Sequence, residues 1–210
     1  TKSNERDLLL NITQKAQGYF ARSLLGKEGK LARKYLDSRD FNDKKFLIDY
    51  GIGWAAPGWK DTLHQLQNRE KFLIKDISRA GLIKQQEGTK ESNFYDRFRG
   101  RITFPLHDIH GNLIAFAGRV INESEPKYLN SPETPLYIKG KHLFGLNRAK
   151  EAIRKQGKAL IVEGYFDQMR AHQNGIRNTV ATCGTALTPE QASLLKNHTK
   201  QVTLIFDSDS

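Results

Sequence analysis

Hydrophobic residues recur every three or four positions through the first part of the chain. Leu8, Ile12 and Phe20 show this spacing, which predicts a helix over residues 5–25. The same criterion predicts shorter helices over residues 28–38, 60–67 and 69–80. The chain is therefore expected to be mainly helical up to about residue 80.

The middle of the chain has β-type patterning. The runs "RITFPL" and "NLIAFAGRVI" flank the turn sequence "HDIHG", which predicts a hairpin. A polar segment rich in Pro, Ser and Glu follows over residues 122–141, and it predicts a loop. The run "RAKEAIRKQG" predicts a helix that ends at Gly157.

Strands and helices alternate from residue 158 onward. "KALIVEG", "TVATCG" and "QVTLIFDSDS" predict strands, and the segments between them predict helices. The second of these helices has Thr188 as N-cap, Pro189 at its first position and Gln191 to complete a capping box. This order indicates a parallel sheet with right-handed crossovers. The predicted fold is an α+β N-terminal subdomain, residues 1–157, followed by an α/β unit with a parallel sheet, residues 158–210.

Acidic residues stand at the ends of two predicted strands. Glu163 ends the first strand of the α/β unit, Asp207 and Asp209 end the third, and Asp167 lies in the first turn of the intervening helix. Functional groups of parallel sheets gather at the carboxyl ends of the strands, where several close carboxylates would repel one another. A hard divalent cation, Mg²⁺ or Mn²⁺, would remove this repulsion. Glu163 alone would be interpreted as an acidic residue at a solvent-exposed strand end. Together with Asp207 and Asp209 at the end of another strand of the same unit, it favours a metal site.

The charge of the chain is strongly basic. Lys and Arg number 34 against 23 Asp and Glu, a net charge of +11. This excess favours a polyanionic partner such as nucleic acid, although a merely soluble basic protein is the alternative. Arg97, Arg99 and Arg101 would share one face of a strand and contact phosphates, with Arg119 nearby at the end of the hairpin. A solvated edge strand is the alternative interpretation of this face.

Several protein classes are disfavoured by composition. The single cysteine, Cys183, excludes an internal disulfide and a multi-cysteine zinc site. No apolar run approaches the ~18 residues of a membrane span, and the N-terminus lacks the pattern of a signal peptide. A cytoplasmic protein without membrane association is expected. Because the chain begins at Thr1, we also expect it to be a piece of a longer protein.

Longer motifs resemble one known family. "VEGYFD" and "FDSDS" resemble the Toprim fold, which primases, topoisomerases and some nucleases share. "FYDRFRGRITFPLHDIHGNLIAFAGRV", "PKYLNSPET" and "KGKHLFGLNRAK" resemble the RNA polymerase domain of DnaG-type bacterial primases. The resemblance implies template-directed synthesis of short RNA primers on single-stranded DNA by metal-dependent nucleotidyl transfer. It also implies a place in the replisome at the bacterial nucleoid.

The resemblance assigns roles to individual residues. It implies that Glu163, Asp167, Asp207 and Asp209 are catalytic, and that all of these except Asp167 bind two or more Mg²⁺ or Mn²⁺ ions. Whether Glu163 binds metal or acts as a general base stays open. The resemblance adds Lys127, Asn130, Lys139 and Arg39 to residues that border the template or nucleotide. The full predicted binding set is Arg39, Arg97, Arg99, Arg101, Arg119, Lys127, Tyr128, Asn130, Lys139 and Lys141.

The resemblance also implies partners and further domains. Expected partners are single-stranded DNA, ribonucleoside triphosphates and the RNA primer–DNA hybrid. A replicative helicase is expected to bind a C-terminal region, and zinc an N-terminal domain, both outside this chain. The fold is expected to continue past Ser210 with a further acidic pair. The alternatives are another Toprim enzyme, a metal-dependent nuclease or topoisomerase, and a single-stranded-DNA-binding module without catalysis.

Overall fold

The computed structural model of the chain describes residues 2–86, 93–184 and 186–206. Its helices are α1 (Lys2–Leu25), α2 (Lys30–Asp37), α3 (Lys44–Tyr50), α4 (Asp61–His64), α5 (Ile74–Arg79), α6 (Leu146–Gln156), α7 (Tyr165–Gln173) and α8 (Pro189–Lys196), with a π-helix over Gln65–Arg69. Its strands are β1 (Gly53–Ala55), β2 (Ile83–Gln85), β3 (Phe94–Asp96), β4 (Arg101–His107), β5 (Leu113–Val120), β6 (Tyr128–Asn130), β7 (Lys158–Val162), β8 (Thr179–Ala181) and β9 (Gln201–Ile205).

The described residues form two compact units. The first comprises the chain up to Pro105 together with Leu113–Tyr137, and the second comprises Leu106–Asn112 together with the residues from Ile138 onward. The domain boundary predicted after residue 157 stays a prediction.

A helix packed on an antiparallel sheet forms the core of the first unit. The strands are ordered β1-β4-β5-β6, and α1 packs against β1 and β5. The aromatic rings of Phe20 on α1 and Phe116 on β5 meet edge to face, with their centres 5.4 Å apart. The buried Thr13 hydroxyl of α1 is satisfied at this contact, because it donates a hydrogen bond to the Leu113 carbonyl at 2.8 Å. The predicted hairpin of β4 and β5 is confirmed.

The second unit contains the predicted parallel sheet. Its strands are ordered β8-β7-β9, and both neighbours of β7 run parallel to it. Ile161 and Val180 on the strands, Ile153 on α6 and Leu195 on α8 are buried in one cluster. The capping box predicted for α8 is confirmed, because the Thr188 and Gln191 side chains each accept the other's backbone N–H. The predicted fold class, an α+β part followed by an α/β unit, is therefore confirmed.

Some predicted elements differ from the observed ones. The helix predicted over residues 69–80 begins only at Ile74, since Lys71 adopts a positive φ of 63° that a right-handed helix does not allow. The segment predicted as a loop over residues 122–141 contains the three-residue strand β6. In the described part of the chain, no helix combines the length and the hydropathy required to cross a membrane.

Candidate active site and nucleic-acid interface

The carboxyl end of β7 carries the first predicted acid. Glu163 follows Val162 directly, and its side chain is exposed. Its backbone carbonyl accepts the Cys183 N–H at 2.9 Å, so the chain leaving β8 fixes the backbone at this point. The carboxylate thus lies at the carboxyl end of a parallel strand, where ligands of open α/β sheets bind, and its role stays a prediction.

Asp167 has a structural contact that its sequence position did not predict. Its carboxylate accepts the backbone N–H of Gly164 at 3.1 Å, and Gly164 is the N-cap of α7. A carboxylate in the first turn also interacts favourably with the helix dipole. Asp167 therefore stabilises the start of α7, and the catalytic role predicted for it stays a prediction.

The strand that leads to the second acidic pair lies beside β7. Val162 on β7 pairs in register with Ile205 on β9. The ends of the first and third strands of the α/β unit therefore lie side by side. Asp207 and Asp209 lie outside the described residues, and within the described ranges no three His, Cys, Asp or Glu side chains cluster as metal ligands would. The metal set of Glu163, Asp207 and Asp209 stays a prediction.

The three predicted arginines meet in one cleft of the first unit. This cleft of about 530 Å³ is lined by Arg97, Arg99 and Arg101 together with Lys84 and Tyr95. The expectation that the arginines share the face of a strand is wrong for the first two. Residues 97–100 connect β3 to β4, and Gly100 adopts a φ of +59° that breaks the alternation of a strand.

Two of these arginines also hold the cleft wall together. The Arg97 guanidinium donates through Nε and Nη2 to the Asn130 carbonyl at 3.1 and 2.7 Å. Arg101 Nη1 donates to the carbonyls of Gly118 and Lys127 at 3.3 and 3.4 Å. Burial lowers the pKa of both arginines from its ordinary value. An anion in the cleft would offset this desolvation.

The third arginine lies against two aromatic rings, the exposed Trp59 and the half-buried Tyr95. The Arg99 guanidinium is 4.2 Å from the ring centre of Trp59 and 5.1 Å from that of Tyr95. The two rings meet at a steep angle with centres 5.7 Å apart, and Trp59 is 64% exposed. Trp59 is therefore a surface residue, and an exposed aromatic ring is the kind of surface on which nucleic-acid bases stack. We refer to Trp59, Tyr95 and Arg99 as the stacking cluster.

Asp96 joins the stacking cluster to α4, through its backbone on one side and its buried carboxylate on the other. Asp96 accepts the backbone N–H groups of Thr62 and Leu63 at 2.7 and 2.9 Å, at the N-terminus of α4. Its own N–H donates to the Trp59 carbonyl at 2.8 Å, and its carbonyl accepts a hydrogen bond from Arg99. Burial raises the pKa of Asp96 to about 6. Asp96 was not among the predicted site residues, although a lone acid within "FYDRFRGR" was an available signal.

A second basic and aromatic cluster joins α2 to β5 and β6. Arg119 Nη1 donates to the Tyr128 hydroxyl at 2.9 Å, and its guanidinium lies 5.1 and 5.4 Å from the ring centres of Tyr128 and Tyr35. The exposed Arg39 lies 5.4 Å from the same Tyr35 ring. The structure therefore brings Arg39, Arg119 and Tyr128 together. Tyr35 was missed because a tyrosine on a short amphipathic helix carries no functional signal by itself.

The predicted lysines lie on exposed loops. Lys127 precedes β6 in the first unit, and its backbone N–H donates to the Glu125 carboxylate at 2.9 Å. Lys139 and Lys141 are exposed on a loop of the second unit. Asn130 is half-buried at the end of β6, where its carbonyl accepts from Arg97. Their contact with DNA or nucleotide stays a prediction.

Comparison with known proteins matches both parts of the chain. Residues 19–150 match the family described as DNA primase catalytic core, N-terminal domain, and residues 157–210 match the Toprim domain. The DNA primase of Synechocystis sp. is 40% identical over 97% of this chain and 32% of its own length. The chain spans about a third of the length of the curated relatives it matches.

Solved structures agree with these matches. The RNA polymerase domain of Mycobacterium tuberculosis primase DnaG is similar with a TM-score of 0.88 and 33% identity, over 98% of this chain and 68% of that one. A DnaG primase catalytic domain bound to single-stranded DNA is similar with a TM-score of 0.86 and 32% identity, over 99% of this chain and 63% of that one. The chain belongs to the DNA primase family, as a catalytic-core N-terminal domain followed by Toprim sequence.

Proposed function

We propose that this chain is part of the catalytic core of a primase that makes short RNA primers on single-stranded DNA from ribonucleoside triphosphates. The observation that carries the proposal is the parallel pairing of β7 and β9, because it brings the strand ending at Glu163 beside the one leading to Asp207. Metal-dependent nucleotidyl transfer uses ions that carboxylates can hold, and the carboxyl edge of a parallel sheet is where functional groups gather.

The residues at this edge suit a divalent cation. The donors available are the carboxylate oxygens of Glu163 and of Asp207 and Asp209, the last two of which lie beyond the described residues. Oxygen ligands fit Mg²⁺ or Mn²⁺. Such ions, when bound, lower the pKa of an attacking 3′ hydroxyl and neutralise charge on the pyrophosphate that leaves. Glu163 itself either holds an ion or accepts the proton of that hydroxyl.

The cleft of the first unit is proposed as part of the template path. Its lining has four basic side chains, the three arginines and Lys84, against one carboxylate, Glu125. This excess of positive charge suits the phosphates of a strand without reading its sequence. The net charge of +11 favours the same partner. A related DnaG catalytic domain has been solved with bound single-stranded DNA. We extend the proposal to Arg39, Arg119, Tyr128 and the loop lysines, which would contact the strand, the nucleotide or the growing hybrid.

Replacing Arg99 should reduce the salt dependence of DNA binding. For single strands, the slope of log affinity against log salt changes by about 0.7 for each phosphate neutralised. We expect Arg99→Ala to flatten the slope by roughly this amount, measured by fluorescence anisotropy with a labelled oligonucleotide. Lys75→Ala is the matched control, because it removes an exposed charge outside the cleft. An Arg99→Ala slope equal to that of the control would contradict a phosphate contact.

Replacing Trp59 should weaken binding through the bases. Stacking of one base on an aromatic side chain contributes ~1–3 kcal/mol, so Trp59→Ala should weaken binding of oligo-dT by about 5- to 150-fold, and Trp59→Phe by less. The control ligand is an abasic oligonucleotide, which keeps the phosphates and lacks the bases. An equal loss of affinity for both oligonucleotides would show that Trp59 acts on the cleft structure rather than on a base.

Two other functions make different demands. A Toprim nuclease shortens a strand and needs no nucleoside triphosphate, whereas a primase consumes ribonucleotides and lengthens one. A binding module without catalysis would bind DNA, but it would neither shorten the strand nor consume ribonucleotides. Neither alternative is favoured by the family matches. Action in the cytoplasm beside a replicative helicase forms part of the proposal for the whole protein.

A further inference from the structure

The capping box of α8 makes two contacts that a helix start does not require. Within the box, Thr188 Oγ1 accepts the Gln191 N–H and Gln191 Oε1 accepts the Thr188 N–H, both at 3.1 Å. These two bonds complete the motif. In addition, Thr188 Oγ1 donates to the Gly140 carbonyl at 2.6 Å and Gln191 Nε2 donates to the His142 carbonyl at 2.8 Å. The box therefore binds a distant loop through donors that capping leaves unused.

The loop that receives these bonds carries two of the predicted binding lysines. Lys139 and Lys141 are exposed on either side of Gly140. Gly140 adopts a φ of +80°, and a Cβ on it would come within 3.1 Å of the Thr188 methyl group. The loop and the N-cap of α8 are thus closely packed at Gly140. The carbonyls of Gly140 and His142, on either side of Lys141, both accept hydrogen bonds from the capping box of α8.

The same loop is also attached to the parallel sheet. Phe144, two residues past His142, exchanges two backbone hydrogen bonds with Ala181 at the end of β8, at 2.9 and 3.0 Å. β8 is the neighbour of β7, whose carboxyl end leads to Glu163. The backbone that carries the lysines is therefore fixed to the sheet that carries the candidate catalytic edge.

Fixing a loop backbone changes what its lysines contribute to binding. A mobile loop loses conformational entropy when its side chains close on a ligand, and this loss weakens binding. A loop held by two side-chain bonds and a backbone bridge has lost that entropy on folding. We propose that Thr188 and Gln191 are positioning residues that hold Lys139 and Lys141 ready to bind phosphate groups. This inference rests on the proposed function, in which the loop borders the template or the nucleotide.

Two substitutions separate the loop contact from helix capping. Thr188→Asp keeps an N-cap acceptor and loses the hydroxyl that donates to Gly140, because an ionised carboxylate has no proton to donate. Gln191→Glu keeps the acceptor for the Thr188 N–H and loses the donor to His142. Ser193→Asp adds the same charge at an exposed position of α8 and serves as the charge control. Thr188→Ser keeps a hydroxyl that can both cap the helix and donate to Gly140, so it should behave like the wild type.

The test combines amide hydrogen exchange with two binding probes, a labelled single-stranded oligonucleotide and ATP with Mg²⁺. We expect faster exchange at residues 140–144 in Thr188→Asp and Gln191→Glu. We also expect both variants to bind at least one probe about 3- to 10-fold more weakly than Ser193→Asp does. The reason is that binding must then order the lysine side chains on a loop that is no longer fixed. If only the oligonucleotide bound more weakly, the lysines would contact the template. If only ATP bound more weakly, they would contact the nucleotide.

The outcomes distinguish this inference from the proposed function. Faster loop exchange with affinities equal to those of Ser193→Asp would overturn the inference and leave the proposed function intact. Unchanged exchange in both variants would also overturn it, because the loop would then be held by other contacts. If the wild-type protein bound neither probe, the proposed function would fail together with the inference. Lys139→Ala should weaken binding of the same probe, the oligonucleotide or ATP, that Thr188→Asp and Gln191→Glu weaken. This substitution therefore identifies which ligand the loop contacts.

Discussion

Glu163→Gln should abolish most primer synthesis while leaving the protein folded and able to bind DNA. The substitution keeps the shape of the side chain and removes its charge. Loss of a positioned base or metal ligand typically lowers the rate by ~10²–10⁴-fold, and this is the decrease we expect in ribonucleotide incorporation. Because the Glu163 side chain is exposed and its backbone is fixed by Cys183, the free energy of unfolding should be unchanged or slightly raised.

The control for this substitution is Glu190→Gln, which removes an exposed carboxylate from the first turn of α8. It should leave primer synthesis near the wild-type rate. Oligonucleotide affinity of Glu163→Gln should match the wild type, since the cleft arginines belong to the other unit. Unfolding of Glu163→Gln would instead make Glu163 a structural carboxylate, and normal priming would remove it from the catalytic set.

Asp96 should give the protein a pH-dependent stability that Asp96→Asn lacks. Its pKa is raised from 3.8 to about 6, chiefly by burial, so the folded state binds a proton that the unfolded state releases between these values. The Asp96 contribution to stability is therefore complete below pH 4 and is lost as the pH rises through 6. Between pH 4 and 7 the free energy of unfolding should fall relative to Asp96→Asn by at most about 3 kcal/mol.

Chemical denaturation at several pH values measures this difference. Asp37→Asn changes an exposed carboxylate on α2 and should reproduce the wild-type pH profile. Parallel profiles of wild type and Asp96→Asn would contradict the effect of burial on this carboxyl. Asp96→Asn should also weaken oligo-dT binding, because the side chain would keep only one of its two bonds from the N–H groups of α4, and this would loosen the backbone that bonds Trp59 and Arg99.

Long periodic segments were the part of the fold that the sequence could predict. The helix α1, the β4–β5 hairpin and the alternation from β7 to β9 each have enough residues for a hydrophobic period to be recognised. The capping box of α8 was recognisable because its residue types define its geometry. The three-residue strands β1 and β6 were not, since they exist through pairing with β4 and β5 and are too short to show a period.

The candidate site was predictable in composition but not in arrangement. Residue types and resemblance selected Glu163 and the arginines. They could not show that Arg97 and Arg101 bind backbone carbonyls of the cleft wall, because those carbonyls lie about 17 to 33 residues away in sequence. Asp96 and Tyr35 were missed for a related reason. Their importance lies in contacts with α4 and with Arg119, which belong to tertiary packing rather than to a motif.

The most direct test of the proposed function is labelled ribonucleotide incorporation on single-stranded DNA by the full-length protein that contains this chain. We expect short RNA products that require template, ribonucleoside triphosphates and Mg²⁺ or Mn²⁺ together. We also expect Glu163→Gln to lose these products while still binding the template. Template-dependent RNA synthesis that is undiminished in Glu163→Gln, or template degradation without any RNA product, would contradict a primase whose chemistry depends on the carboxyl end of β7.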